Sequence, residues 1–192
     1  MLRTFFTNMA KTMRICSVLF VSLACMSCSF AALAAGTQTA QRCGASQDQP
    51  PSRVFADSDG KGWREYQNVK SVPELDLNSG SAARLWSGSD GNLLVKVDEP
   101  GEDFAAYTDY CFDKAGHLLQ LGFELLTAWG WGYREEGSFV NGKVEPAISE
   151  FFSTKTEQPI KKPEQAGDVP DALKPHIYSK KSQLPFFKLL SK

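Results

Sequence analysis

The most distinctive string in the chain is Trp129-Gly130-Trp131-Gly132-Tyr133, in which three large aromatic side chains alternate with glycine. In an extended strand that spacing puts all three rings on one face. Such a stripe suits either the centre of a core or an exposed platform on which a sugar ring or a peptide stacks. Trp129, Trp131 and Tyr133 are therefore the candidate ligand-binding residues, with a glycan or peptide as the partner. Their parity with Leu119, Leu121, Phe123 and Leu125 favours the core. Carboxylates offer a second chemistry, because two of them about 5 to 10 Å apart can hydrolyse a glycosidic bond. Glu124, flanked by Phe123 and Leu125, is the best single position for one, although it has the parity of the polar face. A solvated or ion-paired glutamate is the plainer reading.

The other reactive residue types exclude more than they suggest. The two histidines, His117 and His176, lie in no HxH, HExxH or GxSxG context, and surface positions are expected for both. Asp57-Ser58-Asp59-Gly60-Lys61-Gly62 begins like a calcium loop, but Lys61 at position five and Asn68 at position twelve break the ligand pattern. It is expected to be a turn. No catalytic residue, metal or cofactor is assigned. A net charge of -1 from 21 basic and 22 acidic residues provides no field to hold a phosphate backbone, so nucleic acid is not expected as a partner.

Residues 1–34 read as an export signal. Arg3, Lys11 and Arg14 precede an uncharged run over 15–35, and Ala32-Leu33-Ala34 supplies small residues for cleavage before Ala35. Starts at Met9 or Met13 would shorten the basic segment and leave the mature chain unchanged. The 21-residue run is also long enough for an uncleaved anchor. A lipoprotein signal fits less well, since Ser22 stands three before Cys25 and Cys25 three before Cys28 where an aliphatic residue is needed. The expected location is periplasmic or extracellular, with a mature protein that does not span the membrane. Of five cysteines only Cys43 and Cys111 lie beyond the signal, and in an oxidising compartment such a pair is most simply one disulfide.

The elements that would position these residues are mostly strands. A polar linker occupies 35–53, a β-rich domain 54–153, and an extended C-terminal segment 154–192 that holds five of the ten prolines and packs on the domain. Apolar runs beginning at Leu93, Phe104, Leu118, Gly132 and Lys143 are separated by turn chemistry at Glu99-Pro100-Gly101, Asp113 to Gly116 and Asn141-Gly142. A positive-φ glycine is expected in the first turn, a glycine bulge in the second and a type I′ hairpin in the third. The segment 110–118, YCFDKAGHL, is similar to the hairpin unit of YD-type repeats, but it occurs once and marks a turn, not a family. A bend is expected near Gly130 or Gly132, a short helix over 81–86, and Cys111 opposite Leu119 on the core face.

The fold class is thus mainly β, α+β at most: a single antiparallel meander of about five strands with a short helix and a Pro-rich C-terminal strap. The functional expectation is a small exported cell-envelope or secreted protein acting as a non-catalytic binding or structural module. A carboxylate-dependent hydrolase and a lipid-anchored or membrane-associated envelope factor are the alternatives.

Overall fold

Apolar runs joined by short turns pair with their sequence neighbours, because a hairpin satisfies the backbone groups of both strands over the shortest loop. The computed structural model describes residues 38–191, so the expected signal segment lies outside the described residues. It contains one antiparallel sheet of nine strands: β1 (Arg53–Asp57), β2 (Arg64–Tyr66), β3 (Ser81–Ser87), β4 (Leu93–Pro100), β5 (Phe104–Phe112), β6 (Leu118–Thr127), β7 (Trp131–Val140), β8 (Lys143–Ser153) and β9 (Pro159–Ile160). Their order is β2-β1-β3-β4-β5-β6-β7-β8-β9. The five expected strands are β4 to β8, so the meander is present but extended by four more. The expected helix over 81–86 is instead β3. Its Ala-Ala-Arg-Leu composition favours a helix locally, yet β3 pairs on both sides, with β1 and β4, and tertiary pairing overrides propensity.

The turns follow their residues closely. Asn141 and Gly142 have φ of 51° and 81°, as the type I′ hairpin between β7 and β8 requires. Gly116 has φ 88° and donates to the Asp113 carbonyl at 2.9 Å. Gly101 differs from expectation, since it is not in the left-handed region. Its missing Cβ instead leaves room for the Phe104 ring. The bend foreseen near Gly130 is a full reversal at 128–130, where Gly130 has φ 85° and the Thr127 hydroxyl donates to the Trp131 carbonyl at 2.6 Å.

Both faces of the sheet are covered. Phe55, Leu85, Val95, Tyr110, Phe123 and Leu125 belong to the larger cluster, which the C-terminal strap completes with Ala166, Leu184 and Phe186. The strap runs from one side of the sheet to the other: β9 pairs with β8, Lys174 reaches Glu135 on β7, and Leu118 donates to the Ser179 carbonyl. Phe186 then stacks on Phe55 at 5.0 Å, and Arg53 binds the carbonyls of Leu189 and Leu190. Two short helices, α2 (Val169–Ala172) and α3 (Phe187–Leu190), interrupt this path. Proline excludes anything longer there.

The second face carries a smaller cluster of Ala40, Cys43, Ala45, Trp86, Leu94 and Cys111 under a five-residue helix, α1 (Gln38–Arg42). The Cys43–Cys111 disulfide is present, with Cα atoms 5.6 Å apart. Its face is the reverse of the one expected. A bulge between Cys111 and Phe112 inserts Leu119 as an extra residue, so Cys111 pairs with Gln120 and Leu119 is turned out, 40% exposed. The N-terminal segment is therefore pinned to the side opposite the strap. No helix among the described residues is long and apolar enough to cross a membrane.

Candidate functional site

The aromatic stripe is divided by the turn at 128–130. Trp131 and Tyr133 begin β7 and point into the strap-covered core, 1% and 7% exposed, where both rings pack against Phe151 at 5.8 and 5.1 Å. The Tyr133 hydroxyl donates to Glu135 at 2.6 Å and lies 3.0 Å from the Ser149 hydroxyl. Gly132, on the other face, is open where the Phe152 ring and the Leu125 carbonyl approach, and a Cβ would collide with both. Trp129 stands apart from its two partners. It occupies the tip of the turn, 51% exposed, with its indole stacked on Trp131 at 6.0 Å and 28°.

Trp129 forms one wall of an open groove of about 520 Å³. The other walls come from segments far apart in sequence: Leu77 and Asn78 between β2 and β3, Glu102 and Asp103 between β4 and β5, and Leu173 after α2. The amide of Ala128 donates to the Asp103 carbonyl at 2.8 Å, which ties the Trp129 turn to the 101–103 loop. Leu77 is exposed at 48%, and the carboxylates of Glu102 and Asp103 form no ion pair among the described residues. None of these wall residues carries a sequence motif. Only the loop topology brings them to the tryptophan.

Glu124 lies on the opposite face of the sheet. It joins Lys96, Tyr107, Asp109, Arg134 and Glu136 around a space of about 20 Å³, room for a single water and not for a sugar ring. Two of the carboxylates there hold structure: Glu136 accepts from the Thr39 amide at 3.0 Å and hydroxyl at 3.3 Å, and Asp109 accepts from Gln47 at 3.3 Å. Arg84–Asp98 and Arg134–Glu150 ion pairs, both 2.6 Å, flank the cluster. No family model, curated protein or solved structure matches the chain. The site is therefore read from its own geometry.

His117 pairs with Asp113 at the hairpin turn, at 3.4 Å, while His176 lies in the strap with its ring against that of Tyr178. Asp57 accepts from the Gly62 amide at 3.0 Å and Asp59 from that of Lys61 at 3.2 Å, so the calcium-like segment is closed by its own backbone as a turn. No group of metal-ligating side chains with the geometry to hold an ion occurs among the described residues.

The charged face has a measurable consequence. Burial pushes the carboxyls of Glu124, Glu136 and Asp98 above their usual range, only partly offset by nearby cations at Glu124 and Asp98 and by the Thr39 hydrogen bonds at Glu136. A carboxyl whose value is higher in the folded state binds more protons there than in the unfolded chain, so it adds stability as the pH falls through its folded value. The melting temperature is expected to rise as the pH is lowered from 7 toward the ordinary carboxylate range of about 4. Below that range the gain reverses, because hydrogen bonds hold Asp59, Asp76 and Asp113 below their usual values. Glu124→Gln should flatten the rise in a thermal series across this range. An unchanged slope would show that Glu124 is not one of the groups responsible.

Proposed function

We propose that the protein is an exported, non-catalytic binding module that seats a saccharide on Trp129. The single observation behind this is the half-exposed indole fixed at the tip of a tight turn, beside an open groove rimmed by unpaired polar groups. A sugar ring presents C–H bonds to an aromatic face and hydroxyls at its edge. Asn78, Glu102 and Asp103 line the groove beside Trp129 and supply acceptors for those hydroxyls, with no ion pair to break first. The export part of the reading is supported by the basic segment and uncharged run that precede Ala35, and by a formed disulfide of the kind that persists in oxidising compartments.

Titration with soluble chito-, cello- and malto-oligosaccharides, followed by tryptophan fluorescence, tests the reading. At least one series is expected to give a saturable change. Trp129→Ala should weaken binding about tenfold or more while lowering the melting temperature by only a few degrees, because half of the side chain is already in solvent. A Trp129→Ala protein that binds as tightly as the parent, or a parent that binds none of the three series, would remove the saccharide from the reading.

A further inference from the structure

A second space lies between the strap and the sheet and shares no lining residue with the Trp129 groove. It encloses about 190 Å³. Its floor comes from the sheet, with Val97 and Glu99 on β4 and Tyr110 on β5, and its far side from the strap, with His176, Tyr178 and Pro185. Trp63, just before β2, closes one end and packs on Phe186 at 4.7 Å. The aromatic walls are inclined to one another: Tyr110 and Tyr178 meet at 5.6 Å and 52°, and His176 and Tyr178 at 4.6 Å and 60°. The Tyr110 hydroxyl donates to the His176 carbonyl at 2.8 Å, which fixes the strap over the space.

Glu99 is the one acidic side chain on this lining. Among the described residues it has neither an ion pair nor a side-chain hydrogen bond, unlike Asp98 beside it, which is held by Arg84. The carboxylate stands at the mouth, open to solvent on one side. The surrounding protein lifts it above its usual range with no cation to oppose the shift. A lone carboxylate beside three aromatic walls is a poor site for an anion and an indifferent one for a neutral group. It complements a positive charge carried on an apolar body, which gains from the ring quadrupoles and from the carboxylate together.

We propose that this cavity binds a small organic ammonium ion, its charged head between Trp63, Tyr110 and Tyr178 and facing Glu99. The volume limits the occupant to a head group with a short substituent. The ligand needs no proton transfer or covalent step, and its site shares no lining residue with the saccharide groove.

Choline chloride is the probe, and 3,3-dimethyl-1-butanol, its neutral counterpart of the same shape, is the control. Binding is followed by calorimetry and by shifts of the aromatic ring resonances. Choline is expected to bind saturably and the alcohol at least about tenfold more weakly. Glu99→Gln, an isosteric change at a solvent-facing position, should reduce choline affinity by a similar factor without lowering the melting temperature. Tyr178→Leu should also weaken choline binding, through the loss of an aromatic wall, and Trp129→Ala should leave choline binding intact. The proposal is overturned if choline does not bind, if the alcohol binds equally well, or if Glu99→Gln retains full affinity. Loss of saccharide binding in the same preparations would have no bearing on it.

Discussion

Replacing Cys43 and Cys111 together by alanine is expected to lower the unfolding free energy by about 4 kcal/mol. The two residues are 68 apart in sequence, so their link removes a large loop-closure freedom from the unfolded chain, and the chain-entropy relation gives that magnitude. A domain with about 5 to 15 kcal/mol in total would lose a large part of its margin. The loss should also be felt locally. Helix α1 has five residues, too few to persist alone, and it is held by the disulfide, by small contacts with Trp86 and Leu94, and by the Thr39 bonds to Glu136. Amide exchange in residues 39–45 is therefore expected to rise before that of β5 or β6. Urea unfolding checks the first effect and hydrogen exchange the second. A double variant with the parent's midpoint and slope would mean that the link contributes nothing to stability.

What the sequence made legible follows from how local each signal is. β4 to β8 are long runs with turn residues between them, and each pairs with its neighbour, so pattern and partner are read from adjacent residues. β1, β2 and β9 are five, three and two residues long, too short to show a period. β3 shows the opposite failure, since its helix-favouring residues are overruled by pairing on both sides. The parity of β6 survives the turn at 128–130 because β6 and β7 keep their register up to Leu126 opposite Gly132, so that Thr127 and Trp131 flank the turn and are both buried. Parity therefore placed Trp131 and Tyr133 with Phe123 and Leu125, and it failed at Trp129 on the tip and at Leu119. The bulge that turns Leu119 outward could not be read at all, because a two-for-one pairing leaves no mark on a single strand's composition. Both ligand-sized spaces belong to this illegible class. Glu99 and Tyr178 are ordinary residues in sequence, and only the route of the strap brings them together.

Trp131→Ala is expected to lower stability by about 3 to 5 kcal/mol. The indole is fully buried, packed between Trp129 on one side and the tilted Phe151 ring on the other, and truncation would leave a cavity that β7 cannot close without losing its register with β6 and β8. Trp131→Phe separates packing from hydrogen bonding. The indole Nε1–H has no partner among the described residues, and an unmet buried donor costs about 1 to 3 kcal/mol, so phenylalanine removes that penalty while keeping most of the aromatic contact. Its destabilisation should accordingly be much smaller than that of alanine. The pair of variants also tests the division of labour along the stripe. Trp131 is the support against which Trp129 leans, so Trp131→Phe should preserve saccharide binding, whereas Trp129→Ala should weaken it about tenfold or more with little effect on unfolding. Chemical denaturation of the three variants beside the parent decides the matter. If Trp131→Ala proved as stable as the parent, the strap would not be packed on β7 as described, and the core assignment of the stripe would fall with it.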